Sequence, residues 1–320
     1  MKMKNLANLW KESELGKRAM VAIFRTSGCA WRKCTMCNYA SESYHGKIND
    51  NVIYSQLEEA LSLYDGEEIV KLYTSGSFLD EREIPRSARR KIIESFENAE
   101  KIVIESRPGF ITEENLADIL DFSDVVEVAI GLETVSDDVR LRAINKGFTL
   151  KDFEKSIAIL KEHGFGIRTY ILLKPPFLYE KEAIEDAIKS VKYAKEFSDV
   201  VSINPMNVQK NTLVEKMFKD GEYDPPWFWS LIEVIKRTDG VVISKPSGGG
   251  SIRGIHNCGK CDSQIMNILK DYNNTLRRNL FDEIYCECRE LWKDYLEMEV
   301  LAASYGISDM RRGKIQSFNS

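Results

Sequence analysis

The sequence predicts an α/β fold, a parallel sheet with crossover helices followed by a small cysteine-rich unit, and three observations carry this reading. Apolar, β-branched runs alternate with amphipathic segments from Ala19 to about Gly240. The seven cysteines fall into two groups with none between. The composition, 43% hydrophobic and 30% charged over 320 residues, is that of a globular chain able to bury one large core and an appendage.

Six strand-like runs are read: Met20 to Arg25, Glu68 to Thr74, Lys101 to Glu105, Val125 to Gly131, Gly166 to Leu173 and Asp199 to Asn204. Between them lie segments such as NVIYSQLEEALSLY and EAIEDAIKSVKYAKEF, whose apolar residues recur at helical spacing. Strand and helix in repeated alternation give either an open doubly wound sheet or a barrel, and in both the active residues lie on loops after the carboxyl ends of the strands. Beyond the sixth run come YDPPWFWS, a helical stretch to Arg237 and the glycine-rich SGGGS around Gly249. That glycine run is read as a linker, because no helix with a P-loop Lys-Ser/Thr follows it. The expected organisation is an N-terminal extension over 1–18, the α/β unit over 19–240, and a C-terminal unit over 241–320 whose tail, MRRGKIQSFNS, is read as frayed or available for a partner.

The formal net charge of -5 argues against binding nucleic acid by global charge alone. Two local basic clusters, Arg86, Arg89, Arg90 and Lys91, and Arg311, Arg312 and Lys314, are read as solvated surface. No run approaches the roughly 18 apolar residues of a membrane span, and the N-terminus lacks a secretory pattern, so a cytoplasmic protein is expected. An odd number of cysteines in a reducing compartment points to metal chemistry rather than disulfides.

FRTSGCAWRKCTMCNYASE follows the first run and puts Cys29, Cys34 and Cys37 within nine residues. A structural zinc site normally wants four protein ligands, whereas a cubane held by three cysteines leaves one iron free for a substrate or cofactor. A zinc knuckle borrowing His45 is the alternative. Downstream, HNCGKCD and a later CEC offer Cys258, Cys261, Cys286 and Cys288, four thiolates that close a tetrahedral shell. Zinc is preferred there to an auxiliary iron–sulfur cluster, with His256 as a surface or supporting residue.

The C-x4-C-x2-C loop after the first strand resembles the radical S-adenosylmethionine (SAM) superfamily, whose usual spacing, C-x3-C-x2-C, is one residue shorter. TSGSF occupies the place of that superfamily's GGE motif, which implies that Thr74, Ser75, Gly76 and Ser77 meet the methionine amine. IESRPGF, with Glu105 and Arg107, resembles the ETRPD segment of the elongator-like branch. EVAIGLETVSDDVRLRAINKGFT resembles that branch's fourth-strand block, implying that Glu133 contacts the SAM ribose and Arg140 its carboxylate. GIRTYILLKPPF supplies Arg168 and Lys174, and INPMNVQKNT supplies Asn204, Asn207 and Gln209. Arg168 is read as a cofactor anchor or a structural ion pair, and Asn204 as a cofactor contact or a plain turn. The resemblance implies a partial (β/α)6 barrel over 19–240, a four-iron, four-sulfur cluster on Cys29, Cys34 and Cys37, SAM on the free iron, and an external electron donor.

From about Gly16 to Tyr295 the blocks also resemble the family of archaeal radical SAM subunits of archaeosine synthase. That resemblance implies a tRNA whose position-15 deazaguanine already carries a lysine joined through its side-chain nitrogen, and a partner subunit that transfers the lysine. It implies hydrogen abstraction from the lysine side chain, expected at the carbon bearing that nitrogen, and carbon–nitrogen cleavage to the amidine of archaeosine. Lys174, Trp227 and Trp229 are substrate-side candidates; the tryptophans, with Tyr223, form either a base-stacking platform or an aromatic helix docked on the core. The alternatives are another elongator-like radical enzyme acting on a small molecule or a different RNA, and a non-catalytic zinc-binding RNA adaptor.

Overall fold

The computed structural model describes residues 6–304. The basic cluster at Arg311, Arg312 and Lys314, and the tail around it, lie outside the described residues.

Eight strands form one curled sheet, a partial barrel, in sequential order: β1 (Asn8–Glu14), β2 (Lys17–Ile23), β3 (Ile69–Tyr73), β4 (Lys101–Glu105), β5 (Val126–Glu133), β6 (Gly166–Leu173), β7 (Val200–Pro205) and β8 (Val242–Ile243). β1 runs antiparallel to β2 and every other neighbouring pair is parallel. The six runs read from sequence are β2 to β7. β1 and β8 were not anticipated: β8 has two residues, and β1, NLWKESE, is too polar to read as a buried strand. β1 joins β2 through Leu15 and Gly16, both at positive φ (54° and 77°), as a two-residue hairpin turn with primed geometry requires.

The helices are α1 (Asp50–Leu61), α2 (Arg86–Glu94), α3 (Glu113–Leu116), α4 (Leu150–Glu162), α5 (Glu180–Ala194), α6 (Leu213–Lys219), α7 (Phe228–Lys236), α8 (Asp262–Thr275) and α9 (Cys288–Ser304). Their starts carry ordinary signals: Asn49 caps α1 and Thr149 with Asp152 forms a capping box on α4. Strand alternation then separates two environments. Val70, Leu72, Ile102, Ile104, Val128 and Ile130 join helix residues such as Ile53, Leu57 and Ile92 in the main core. Lys71, Tyr73, Glu105, Arg168 and Tyr170 line the inside of the barrel.

The C-terminal segment continues this core, since Ile265, Leu269, Tyr272 and Trp292 pack in the same cluster. α8 bridges the two edge strands. Asn273 accepts from Leu15 N (3.0 Å) on the β1 side and from Ser244 N (2.9 Å) on the β8 side. Tyr272 donates to Val242 O (2.7 Å). The open edges are thereby covered by a helix. The glycine run is a packed turn rather than a free linker: a Cβ on Gly249 would come within 2.7 Å of the Met266 sulfur, and Gly250 N bonds Ile255 O at 2.8 Å.

In the first basic cluster Arg90 and Lys91 are exposed, as a solvated face requires, and Arg89 is the departure from it. Arg89 is fully buried, bonding the carbonyls of Leu79, Ile84 and Asn115. Arg86 and Arg90 are neutralised by Glu114 and Asp118 and by Glu94 and Asp121. Among the described residues no helix is long and apolar enough to cross a membrane.

Candidate active site and metal centre

Inside the barrel is a cavity of about 1210 Å³, and Cys29, Cys34 and Cys37 all line it. The loop that carries them is stitched down on both flanks. Tyr44 N bonds Thr26 O (2.7 Å), Thr35 bonds the carbonyls of Ala143 and Ile144, and Trp31 Nε1 donates to Asn145 O (2.6 Å). Gln209 accepts from Asn38 N at 2.6 Å, which ties the loop to the segment after β7. The long gap between Cys29 and Cys34 contains a left-handed turn at Arg32 (φ 52°), whose guanidinium returns to Cys29 O at 2.9 Å.

These thiols fit a cubane cluster better than a zinc knuckle. Among the described residues lining the cavity there is no fourth cysteine and no histidine, and His45 is exposed away from it. Burial pushes the Cys34 and Cys37 thiols above their ordinary range, so binding iron must release their protons. Gly76 makes the close approach to the loop possible, because a Cβ there would stand 2.6 Å from Cys29 Cα and 2.2 Å from Glu83 Oε1.

Of the residues matched to SAM contacts, Thr74, Ser75, Gly76, Glu105, Glu133, Arg168, Asn204 and Gln209 line the cavity. Ser77 does not; it is buried, bonded through its backbone to Glu83 and accepting Arg107 N at 3.0 Å. Arg140 does not either. It sits in a short π-helical turn, Val139–Ala143, with its buried guanidinium on Thr134 O, Phe148 O and Asp137. Glu133 ends β5 at positive φ (67°) and pairs with Lys146 at 2.5 Å. Burial works against the Lys146 ammonium, but Glu133 and the nearby Cys34 hold its pKa above the usual range.

Arg168 lies on the barrel floor in a buried ion network. Its guanidinium meets Glu127 (2.5 Å) and Glu14 (2.7 Å). Glu14 also meets Lys71 (2.5 Å) and Lys245 (2.9 Å), and Glu12 meets the same two lysines. Burial alone would raise the Glu14 pKa; Arg168, Lys71 and Lys245 outweigh it and hold that carboxyl far below the ordinary range. The structure thus shows the ion pairs that the structural reading of Arg168 expects, and the residue also lines the cavity.

The substrate-side candidates are corrected. Lys174 is buried outside the cavity, paired with Glu180 at 2.7 Å. Trp227 and Trp229 are 2% and 3% exposed, and Tyr223 is buried with its hydroxyl on Lys174 O (2.8 Å). No face of these rings is open for stacking, because α9 packs Tyr295 and Trp292 over the segment. Conversely, Lys146, Tyr73, Tyr170 and Lys71 line the cavity without having been anticipated. The signal for Lys71, Tyr73 and Tyr170 was polar residues at period two within otherwise apolar strands.

The second cysteine group converges. Cys258 and Cys286 sulfurs are 3.6 Å apart, Cys261 and Cys288 3.7 Å, and all four lie within 4.8 Å of one another. A tetrahedral ion with sulfur at about 2.3 Å sets its ligands about 3.8 Å apart. A cubane holds them wider, since each sulfur binds a different iron. The spacing suits one ion. Asn257 donates to Cys261 Sγ (3.4 Å) and Trp229 to Cys288 Sγ (3.2 Å), supporting contacts of the kind that orient metal ligands. His256 instead contacts Gly254 O through Nδ1 (2.8 Å).

A curled, mostly parallel sheet whose cavity-lining thiols, among the described residues, all come from one three-cysteine loop points to a class, and a model of the radical SAM superfamily matches residues 23–188. The chain belongs to the radical SAM superfamily, whose members use SAM and a four-iron, four-sulfur cluster. Within it, the chain is 39% identical over 297 residues to archaeosine synthase subunit beta of Methanosarcina acetivorans, covering 88% of this chain and 86% of that one. The subunit of the same name from Thermococcus kodakarensis is 38% identical, covering 88% of this chain and 93% of that one. Among solved structures, queuine lyase from Clostridium spiroforme bound to SAM and queuine shares the fold at TM-score 0.51 and 16% identity, covering 78% of this chain and 95% of that one. Methanocaldococcus infernus Elp3 shares it at TM-score 0.50 and 19% identity, covering 70% and 57%.

Proposed function

We propose that this chain is the radical SAM subunit of an archaeosine synthase: it cleaves the carbon–nitrogen bond of the lysine-adducted 7-deazaguanine at tRNA position 15, leaving archaeosine. The observation that carries this reading is similarity to two subunits so named across 88% of the chain. Cys29, Cys34 and Cys37 would hold the cluster, and with SAM bound and one electron supplied from outside it provides a 5′-deoxyadenosyl radical.

The chain's own residues bind and enclose. Thr74, Ser75 and Gly76 present small side chains and backbone beside the cysteine loop, where the SAM amine is expected. Glu133 and Asn204, at the ends of β5 and β7, face the same space, with Glu133 held by Lys146. The barrel wall would hold a bound substrate against the cofactor side of the cavity and shield that side from water. A partner subunit is expected to add the lysine beforehand.

The tetracysteine group is proposed to hold zinc as a structural ion, consistent with its sulfur spacing. The reaction is tested by supplying tRNA whose lysine adduct is deuterated at the carbon bearing the bridging nitrogen. Deuterium in 5′-deoxyadenosine supports attack there, and its absence during turnover contradicts it.

A further inference from the structure

Pockets for one drug-sized ligand run to roughly 300–1,000 Å³, and the barrel cavity, at about 1210 Å³, exceeds that. Thr74, Ser75 and Gly76 lie beyond the end of β3 beside the cysteine loop, while the lining continues down to Lys71, Arg168 and Glu14 on the floor, so the cavity has room for a second ligand between those levels. There Tyr73 and Glu105, the last residues of β3 and β4, share the wall with Tyr170 from within β6. The Tyr170 hydroxyl lies 3.3 Å from that of Tyr73 and hydrogen-bonds the Glu105 carboxyl.

Glu105 differs from its neighbours in charge pairing. Glu12, Glu14 and Glu133 on the same cavity wall each hold a lysine or arginine within 2.5–2.9 Å. Among the described residues Glu105 forms no ion pair; its nearest cations, Lys146 and Arg168, are engaged by Glu133 and by Glu14 and Glu127. A carboxylate in a walled cavity without a cation is costly to ionise.

We propose that Glu105, matched above to a SAM contact, instead serves, steadied by Tyr170, as the binding site for a planar cation of the substrate, an amidinium. This rests on the proposed function, because the lysine-adducted base and archaeosine both carry an amidine, protonated at neutral pH. A carboxylate accepts two parallel N–H bonds from such a group, as it does from arginine. Burial pushes the free Glu105 carboxyl up to about 7, so an arriving cation completes its ionisation. The other titratable groups facing it are Tyr39, Tyr73, Glu83, Lys146, Arg168 and Tyr170.

The test measures binding of two nucleoside probes, 7-formamidino-7-deazaguanosine (cationic) and 7-cyano-7-deazaguanosine (neutral), to the reconstituted full chain with SAM. The wild type should prefer the cation, and Glu105→Gln should lose roughly tenfold or more of that preference, the scale of a charge-assisted pair. SAM affinity should hold, and Glu105→Asp should keep part of the preference. An unchanged preference in Glu105→Gln, or a loss confined to SAM affinity, overturns the inference. Because the readout is binding, it stands apart from turnover: a wild type that fails to convert lysine-modified tRNA but still discriminates the probes overturns the proposed reaction and leaves the site.

Discussion

Replacing Arg168 by Met tests whether the barrel floor is held by charge. In the wild type its guanidinium bridges Glu14 and Glu127, both fully buried, at 2.7 and 2.5 Å. Removing one partner of a buried ion pair costs about 3–5 kcal/mol. The low end applies here, because Glu14 keeps Lys71 and Lys245 and Glu127 keeps Lys101. At about 2–4 °C per kcal/mol, a loss of about 3 kcal/mol lowers the melting temperature by roughly 6–12 °C at neutral pH. The sign with pH follows from Glu14. Its folded pKa is depressed, so its contribution is present above the ordinary carboxylate range and is lost as pH falls. With Arg168 gone that depression is smaller, and the gap between wild type and variant should narrow below about pH 5. Calorimetry across that pH range is the assay. A shift under about 2 °C, or a gap that stays constant with pH, refutes the reasoning. Unchanged stability with lost SAM affinity would instead move Arg168 to the cofactor carboxylate.

Other outcomes follow from the same geometry. Gly76→Ala places a Cβ 2.6 Å from Cys29 Cα, so the variant should load less iron on reconstitution while retaining its zinc; full iron content would show that the loop can yield. Metal analysis of purified protein should find about one zinc per chain, lost in Cys286→Ser with a drop in melting temperature; iron at that site would contradict a single tetrahedral ion. With Glu105 rising to about 7 on burial, a cationic substrate should bind better as pH climbs through neutrality, since only the ionised carboxylate pairs with it. The pH profile of KM checks this, and Glu105→Gln should flatten it.

How much of this was visible in the sequence depends on which face of a strand carries the signal. β2 to β7 could be read because their outward residues, such as Val128, Ile130 and Ile167, are apolar and β-branched. β1 could not, because its Glu12 and Glu14 are neutralised by Lys71 and Lys245 from elements far along the chain. The cysteine loop and the tetracysteine group were legible by spacing, whereas the left-handed Arg32 turn in the first was not. PPWFWS reads alike as a stacking platform or as core. Only the packing of α9 decides, and it buries Trp227 and Trp229. Lys146 lies thirteen residues after Glu133, and the turn that unites them has no local sequence signature.

The central claim is tested most directly by incubating reconstituted, reduced protein with SAM and tRNA bearing the lysine adduct at position 15, then assaying nucleosides and SAM products together. The account predicts 5′-deoxyadenosine and archaeosine forming in step, both abolished by Cys34→Ala. 5′-Deoxyadenosine without conversion of the base, or conversion that survives loss of Cys34, would contradict it.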